Sequence, residues 1–510
     1  MNAVRGVNDG DGGRDAMELR LESAWHLLGL KKQVKGCDVR RTKIVATIGP
    51  ASDSNEVIEQ LVAAGVDVLR LSFAHGDLPS CIERLRRIRA VAPLVAIMVD
   101  IPGPKVRSGS FGSSPVPLIL NSEIELHEGF GETSTSTSIA VERDGILSGL
   151  SVGDKIHIGD GGVSLEVTAL GSSVGAVVIS GGSVMGKPGL SLPSSLMQDQ
   201  LPTPDDRERI EALRSEEFEI LAVSFVRNAV DVQSVRSVLN RPDVMIMSKI
   251  ETAEGVENLT EIVECSDAIM VARGDLGVRL PIEDVPHLQK EIVRQGIRFA
   301  RPVVVATQML ESMTHSQVPT RAEVTDVANA VLDGASAVML SGETAIGHDP
   351  VAVVRTMDRI IVRTELGFDY KKWGASLGVQ EVAGSRSQAM RTTAAITGAA
   401  WRAAMEENAT VIVACTRSGM TARAISRFRP PMPILAITPS EKTARQLRSS
   451  WGVNDVLISE QTEMGELTAL AIEHLKKIGL VKVGDAVVVM AGSENSEAST
   501  TDTVRMAFVR

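Results

Sequence analysis

Two apolar stretches decide the fold of this chain: MIMSKIE at residues 245–251 and AIMVARGD at residues 268–275. Each stretch ends in charged residues at alternate positions, which are Lys249 with Glu251 and then Arg273 with Asp275. Alternate side chains of a β-strand lie on one face, so each stretch is expected to deliver two charged groups to the same side of its C-terminal end. The helix-like segment between the stretches has the length of a crossover between parallel strands, which would bring both carboxylates into one pocket beside the ammonium. This set of groups indicates a site for a hard divalent cation and a developing oxyanion.

The same alternation of strand and helix recurs from residue 43 onward. The other strand candidates are KIVATIGPAS, DVLRLSFAHG, LVAIMVDIPG, FEILAVSFVR, RPVVVATQM and SAVMLSGETA. Amphipathic segments with periodic apolar positions separate most of them. Eight buried parallel strands that alternate with helices predict a TIM (β/α)8 barrel rather than an open sheet.

Two segments depart from the barrel pattern. One is rich in Ser, Gly and Val, with short alternating runs around GDGG that indicate a hairpin, and we expect it to form a small inserted β-barrel domain that acts as a lid. The other carries strands TVIVACT, PILAITP, VNDVLIS and DAVVVMAG between helices, which indicates an α/β domain with a mainly parallel sheet. We therefore divide the chain into four parts. They are an N-terminal helical or flexible segment at 1–40, a barrel in two pieces at 41–103 and 201–367, the inserted domain at 104–200, and a C-terminal α/β domain at 368–510.

The composition narrows the possible environments and partners. The formal net charge of −11 argues against nonspecific attraction to nucleic acid or an anionic membrane surface, and no stretch has the about 20 uninterrupted apolar residues of a membrane span. The four cysteines are scattered without a C-x-x-C pair, which indicates a reducing compartment. The N-terminal segment has several acidic residues and no apolar core, unlike a secretory signal. We expect a cytoplasmic protein without nucleic-acid or membrane partners.

Charged residues at the ends of the second and third strands are further candidates. Arg70 suits a phosphate or a carboxylate, although most arginines are solvated or structural. His75 either contacts a nucleotide or makes only local hydrogen bonds. Lys105 and Arg107 alternate in a rigid turn, DIPGPKVR, that begins at Asp100; the turn is a hinge with solvated charges, a face for a nucleotide polyphosphate, or both.

The remaining strand ends carry hydroxyl groups. Thr307 and Ser341 would orient a carboxylate or pass a proton, or they would only cap the next helix. Lys249 and Glu251 alone would suggest a buried ion pair, but the second charged strand end favours a catalytic site. In that interpretation Glu251 and Asp275 bind Mg²⁺ and Lys249 stabilises transition-state charge. In the C-terminal domain, TRSGMTARAISRFRP either holds an anion or is an ordinary strand-to-helix turn.

Taken together, these segments resemble the pyruvate kinase family. The matching motifs run in order from about residue 42 to the C-terminus: TKIVATIGPAS, LRLSFAHG, DIPGPKVR, SFVRNAVDV, KIETAEGVENLTEI, SDAIMVARGDLGV, PVVVATQMLESM, PTRAEVTDVANAVLDGASAVMLSGETAIG and RFRPPMPILAITPSEKTARQL. The resemblance implies phosphoryl transfer from phosphoenolpyruvate to ADP, which gives pyruvate and ATP. It also implies a Mg²⁺ cofactor, with Mn²⁺ as an alternative, and a homotetramer.

The resemblance assigns roles to individual residues. Lys249 would stabilise the phosphoryl group and the enolate, and Ser341 would belong to the network that delivers a proton to the enolate carbon. The implied binding residues are Glu251 and Asp275 for magnesium; Gly274, Asp275 and Thr307 for the substrate, with Arg70 on its phosphate; Arg107 and His75 for the nucleotide; and Thr416, Arg417, Ser418, Gly419 and Thr421 for an effector phosphate.

Two departures from the family pattern stand out. The positions where many members bind potassium read Ser72, Ala74, Asp100 and Ile101 here, and Lys105 stands where potassium-dependent members typically carry Glu. The chain thus resembles the potassium-independent branch, in which this lysine beside Asp100 substitutes for the monovalent cation, so K⁺ is not expected to be required. In the lid, Pro188 occupies the place of a lysine that helps to hold ATP. A catalytically weak regulatory subunit is therefore the alternative to an active enzyme.

Overall fold

The computed structural model describes residues 40–74, 76–159, 161–193, 196, 199–379, 387–461, 463–492 and 500–510. Its strands are β1 (Lys43–Thr47), β2 (Val68–Ser72), β3 (Ala96–Ile101), β4 (Val106–Arg107), β5 (Val116–Leu118), β6 (Glu123–Glu128), β7 (Ser138–Val141), β8 (Lys155–Ile158), β9 (Val163–Leu170), β10 (Val174–Ser180), β11 (Gly182–Val184), β12 (Gly189–Ser191), β13 (Ile220–Val223), β14 (Met245–Ile250), β15 (Ala268–Ala272), β16 (Val303–Ala306), β17 (Ala337–Leu340), β18 (Val411–Cys415), β19 (Ile434–Thr438), β20 (Val453–Ile458), β21 (Ala486–Ala491) and β22 (Thr503–Phe508). Its α-helices are α1 (Asn55–Ala63), α2 (Leu78–Val91), α3 (Pro204–Leu213), α4 (Ala229–Leu239), α5 (Ala253–Glu257), α6 (Leu259–Cys265), α7 (Arg273–Arg279), α8 (Val285–Arg298), α9 (Arg321–Asp333), α10 (Gly342–Ala345), α11 (Pro350–Glu365), α12 (Tyr370–Val379), α13 (Gln388–Glu406), α14 (Met420–Ser426), α15 (Glu441–Gln446) and α16 (Met464–Lys477). The segment predicted over residues 1–40 lies outside this description except for its last residue. Among the described helices, none combines the length and apolar character needed to cross a membrane.

Eight parallel strands close into the predicted barrel in the order β1-β17-β16-β15-β14-β13-β3-β2. Side chains that point inward, such as Val45, Met98 and Met270, fill its interior, while Ile44 and Leu69 face outward into the layer of helices. Both faces of each strand are therefore buried, which explains why the strands read as continuous apolar runs. This arrangement places all eight C-terminal strand ends around one mouth.

Local signals in the sequence set the ends of several barrel helices. Thr320 accepts a hydrogen bond from the amide of Glu323, whose side chain bonds back to the threonine amide, and this capping box begins α9. The same helix ends at Gly334, which adopts a left-handed φ of 98° that costs little only for glycine. Asp77 caps α2 in a similar way by accepting from the amide of Ser80.

The inserted domain is a curled, mainly antiparallel sheet of strand order β4-β12-β8-β9-β10-β6-β7, in which only β6-β7 is parallel among the described strand pairs, with a separate β11-β5 pair. A bridge between Ser108 and Val141 links the two edges, so the sheet closes on itself as a small barrel. Strands β8 and β9 pair antiparallel across the GDGG sequence, which confirms the predicted hairpin. The domain leaves the larger barrel directly after β3, at the mouth where the strands end.

The C-terminal domain is a five-stranded sheet of order β20-β19-β18-β21-β22. Its first four strands are parallel as expected, and the fifth, β22, pairs antiparallel with β21. A buried carboxylate ties this domain to the larger barrel, because Glu219 at the start of β13 bonds both Arg89 of α2 and Arg445 of α15, the latter at 2.7 Å. The C-terminal domain thus contacts the end of the barrel opposite the mouth.

Candidate active site

Lys249 lies at the centre of a buried charge network at the mouth of the barrel. Strand β14 is buried along its whole length, so the lysine, 8 % exposed, is held among protein groups. Its Nζ donates to Ser224 Oγ at 2.8 Å, and it lies 2.8 Å from Glu251 Oε1 and 3.5 Å from Asp100 Oδ1. Burial alone would lower the pKa of Lys249, but the charges of Asp100 and Glu251 outweigh it and raise that pKa above its ordinary value. The side chain is therefore a fixed ammonium.

Asp100 anchors a second cation beside the first. Its Oδ2 accepts from Arg70 Nε at 2.8 Å, and another nitrogen of the same guanidinium donates to Thr47 Oγ1 at 3.0 Å. Burial would raise the pKa of Asp100, but Lys249 and Arg70 together hold it below its usual value. One carboxylate therefore positions two cations from different strands at the mouth, an arrangement suited to an anionic phosphoryl group.

Glu251 and Asp275 lie near enough to interact electrostatically. Glu251 is fully buried, and its Oε2 accepts from the amide of Phe225 at 3.0 Å. Its pKa is raised, chiefly by burial and also by repulsion from Asp275, while Lys249 opposes the rise. Its Oε1 lies 2.8 Å from the Lys249 ammonium and has no other hydrogen-bond partner within the described protein. A buried acceptor and a second carboxylate nearby fit Mg²⁺, which takes one or two carboxylates together with water and substrate oxygens.

The expectation that Arg273 shares a face with Asp275 is wrong. Strand β15 ends at Ala272, and both residues belong to the short helix α7, so the alternation of a strand does not apply to them. Arg273 instead donates to the Asp326 carboxylate at 2.7 Å and to the carbonyl of Thr307 at 2.6 Å. The arginine therefore braces the neighbouring loop.

Thr307 occupies that braced loop in an unusual backbone conformation. Its φ is 70°, a left-handed value that is rare for a β-branched residue, and Gln308 follows at 53°. The Thr307 hydroxyl accepts from the amide of Gly274 at 2.8 Å. Strain of this kind persists where the surroundings enforce it and clusters at functional sites. A hydroxyl and an amide are thus presented together beside Asp275.

Ser341 follows the last barrel strand. Its amide donates to Glu343 Oε2 at 2.6 Å, and the fully buried Glu343 also accepts from the amide of Leu310. Within the described residues the buried Ser341 hydroxyl has no hydrogen-bond partner. Such an unsatisfied group is costly unless it has a function.

The turn into the lid crosses the mouth of the barrel. Arg107 donates to the carbonyl of Ala74 at 3.2 Å and to that of Lys187 at 3.1 Å, so it links barrel to lid. The ammonium of Lys105 lies 3.7 Å from Asp275 Oδ1, whereas Asp100 pairs with Arg70 and Lys249. Among the described residues this lysine therefore pairs with Asp275 and not with Asp100, where the sequence placed it. Gly189 permits that path, because a Cβ there would approach Lys105 Cε to 2.5 Å.

Two lid residues lie where the sequence departs from the family pattern. Lys187 pairs with Glu142 at 2.6 Å, and the carbonyl of Pro188 accepts from the amide of Ser108, so both belong to the lid sheet. His75, the second predicted nucleotide contact, lies outside the described residues.

The predicted effector loop lies in the C-terminal domain between β18 and α14, over residues 416–421. Gly419 adopts a left-handed φ of 82°, the Ser418 carbonyl accepts from Arg423 at 2.9 Å, and Thr416 is buried. The hydroxyls of Thr421 and Thr501 are 2.7 Å apart. The carbonyl of Arg417 accepts from Thr443.

Three residues of the mouth were missed in the sequence. Ser224 holds Lys249, Thr47 holds Arg70, and Glu343 fixes the turn at Ser341. Thr47 ends a barrel strand, Ser224 directly follows one, and Glu343 lies three residues after one. A survey of the polar residues at and just after all eight strand ends would have found them.

Comparisons with known proteins agree with this geometry. Residues 39–354 match the family described as pyruvate kinase, barrel domain, and residues 394–507 match pyruvate kinase, alpha/beta domain. Proteins named pyruvate kinase are similar over 92 % of this chain and 81 % of their own length: the one from Sporosarcina psychrophila is 38 % identical, that from Staphylococcus epidermidis 37 % and that from Staphylococcus aureus 38 %. The chain therefore belongs to the pyruvate kinase family and is a phosphotransferase.

Proposed function

We propose that this chain is an active, Mg²⁺-dependent pyruvate kinase that transfers the phosphoryl group of phosphoenolpyruvate to ADP and gives pyruvate and ATP. The observation that carries the proposal is the position of the Lys249 ammonium, between the carboxylates of Asp100 and Glu251 and beside Asp275. Phosphoryl transfer is catalysed mainly by positioning and by stabilising charge, which a fixed cation and a metal site supply together.

Glu251 and Asp275 would hold the metal ion, Mg²⁺ or alternatively Mn²⁺. When bound, the ion neutralises the charge of the phosphoryl and enolate oxygens. The P–O bond to the enolate breaks and a new P–O bond forms to the β-phosphate of ADP. Lys249 stabilises charge on both sides of this step because its pKa keeps it protonated.

The other predicted residues would bind the substrates. The Gly274 amide donates to the Thr307 hydroxyl at 2.8 Å and so orients it, and the hydroxyl would donate its own hydrogen to the substrate carboxylate. Arg70, fixed by Asp100, would bind the phosphate. Arg107, at the junction of barrel and lid, and His75 would contact the nucleotide phosphates.

The enolate then takes up a proton at its terminal carbon. The Ser341 hydroxyl is buried at the mouth and has no acceptor or donor among the described groups, so it is available to relay that proton. Glu343 holds the serine backbone in place.

The enzyme would not require potassium. The Lys105 side chain lies 3.7 Å from Asp275, so a cationic group attached to the chain would stand beside the anionic substrates. The network around Asp100 carries two further cations, Arg70 and Lys249. We further propose a cytoplasmic homotetramer whose effector binds residues 416–421.

A catalytically weak regulatory subunit is the second candidate. One observation favours it: the Lys187 side chain donates to Glu142. Because position 188 is a proline, neither residue 187 nor residue 188 then directs a lysine side chain at the nucleotide. The intact network around Lys249 favours the active enzyme.

A coupled assay tests the proposal. Pyruvate formation is measured with phosphoenolpyruvate, ADP and Mg²⁺, with and without K⁺, for the parent chain, Lys249→Met and the matched control Lys371→Met, whose side chain is exposed on α12. We expect turnover in the parent and the control without K⁺, and a loss of about 100-fold to 1,000-fold in Lys249→Met. No turnover in the parent would refute the enzyme, and an absolute need for K⁺ would refute the substitution by Lys105.

A further inference from the structure

A small cavity lies where the C-terminal domain meets the larger barrel, on the side away from the active site. Residues Ala300 and Pro302 before β16 and Ser336 before β17 form its barrel side. Ile297, four arginines and two further serines complete the lining; the polar residues among them are Arg301, Arg423, Arg427, Arg429, Ser426 and Ser450. The lining therefore carries four cationic side chains and no carboxylate.

Arg429 is buried to 2 % exposure, among the largest side chains enclosed by the protein. One of its amino groups donates to the carbonyls of Gly334 and Ala335, and its guanidinium lies 4.5 Å from the ring centre of Trp451. Its Nε and Nη1 have no partner in the described part of the chain. This side chain thus brings two unsatisfied N–H donors to the cavity.

Arg423 presents a second set of unsatisfied donors. It is 7 % exposed, and its Nη2 donates to the Ser418 carbonyl at 2.9 Å, while Nε and Nη1 have no partner among the described residues. The Ser450 hydroxyl likewise has no hydrogen-bond partner among the described residues. No carboxylate of the residues described here lies within 4.0 Å of a nitrogen of Arg423 or Arg429.

Both guanidiniums remain charged at neutral pH. Burial lowers the pKa of Arg423 to about 10 and that of Arg429 to about 9, and distant carboxylates oppose the shift only in part. An isolated buried charge costs several kcal/mol unless a counter-charge compensates it. Arg301 also lines the cavity and donates to the carbonyls of Val263 and Glu264, so it adds a further positive charge and does not compensate the other two.

We propose that this cavity binds a small inorganic anion, which supplies the missing counter-charge at the junction of the two domains. The cavity volume is about 10 Å³, close to the room that one water molecule needs. A cavity of this size holds one group about as large as a water molecule, so the occupant is a single small ion and not a nucleotide or a sugar phosphate. Because Arg423 also holds the Ser418 carbonyl, the bound anion would stabilise the neighbouring loop over residues 416–421.

Thermal unfolding in matched salts tests whether the anion stabilises the protein. Sodium gluconate, whose anion is too large for the cavity, is replaced by sodium chloride at constant ionic strength. We expect the parent to gain roughly 2–4 °C at a chloride concentration ten times the Kd. Arg423→Met should lose most of this gain, whereas Arg402→Met, a matched change at an exposed position of α13, should keep it.

Crystals grown in sodium bromide locate the ion directly. We expect an anomalous bromide peak between Arg423 and Arg429 in the parent and none there in Arg423→Met. The proposal is overturned if bromide occupies surface sites but not this cavity, or if the gain from chloride is equal in the parent and Arg423→Met. A peak without any gain would mean binding at crystal concentration only, and this too would overturn it.

Discussion

Replacing Asp100 with asparagine removes one negative charge from the centre of the active-site network without changing the size of the side chain. In the parent chain this carboxylate, 3 % exposed, accepts from Arg70 at 2.8 Å and lies 3.5 Å from the ammonium of Lys249. Asparagine retains one carbonyl oxygen as an acceptor, but it offers no charge to either cation. Both cations are then less firmly held toward the substrate.

The size of the effect follows from burial. Removing one partner of a buried ion pair costs about 3–5 kcal/mol because the other charge is left uncompensated. Lys249 keeps Glu251 at 2.8 Å and Arg70 keeps the Thr47 hydroxyl, so we expect the lower end of that range. About 3 kcal/mol of lost positioning corresponds to a decrease of roughly 100-fold in kcat/KM for phosphoenolpyruvate.

Steady-state kinetics of Asp100→Asn, with circular dichroism to check folding, measure this effect. Asp205→Asn is the matched control, because its carboxylate is 85 % exposed on α3. The reasoning predicts a large loss for Asp100→Asn and none for the control. A well-folded Asp100→Asn whose kcat/KM stays within twofold of the parent value would refute the network as the positioning device.

Three further predictions test other parts of the site. Ser341→Ala should leave KM for phosphoenolpyruvate within about twofold and lower kcat about 10-fold to 100-fold, as expected for loss of a proton relay; an unchanged solvent isotope effect on kcat would speak against that role. Lys105→Met removes a half-exposed cation beside Asp275 and should lower kcat/KM about 5-fold to 50-fold, with partial recovery when K⁺ is added; equal activity with and without K⁺, at the parent level, would contradict it. The pKa of Glu251 is raised, and a protonated carboxyl does not bind a metal ion. The Kd for Mg²⁺ should therefore rise as the pH falls, and the rise should begin at a higher pH than for an ordinary glutamate. Calorimetric titrations that give a constant Kd between pH 8 and pH 5 would exclude this.

The barrel was predictable because its strands are buried on both faces and therefore read as apolar runs that end in polar residues. The last strand of the C-terminal domain, β22, escaped prediction because it is a half-exposed edge strand whose sequence, TVRMAF, has no clear alternation. Its antiparallel pairing depends on tertiary contacts with β21, which no local sequence pattern encodes.

The residues of the candidate site likewise divide into those that the local sequence pattern predicts and those whose position depends on the tertiary structure. Lys249 and Glu251 could be predicted because Lys249 lies near the end of β14, Glu251 directly follows that strand, and the two-residue repeat orients both. Arg273 could not, because its strand stops one residue earlier and a helix turns the side chain toward Asp326. The contact between Lys105 and Asp275 joins the lid turn to the barrel and is visible only once the domains are in place.

The most direct test of the central claim is to follow the phosphoryl group itself. Phosphorus NMR is recorded on phosphoenolpyruvate, ADP and Mg²⁺ in a buffer free of K⁺, with the parent chain and with Lys249→Met. The account predicts that the parent converts the phosphoenolpyruvate signal into the γ-phosphate signal of ATP, while Lys249→Met does so at least about 100-fold more slowly. Release of inorganic phosphate without ATP, or equal rates for the two proteins, would contradict it.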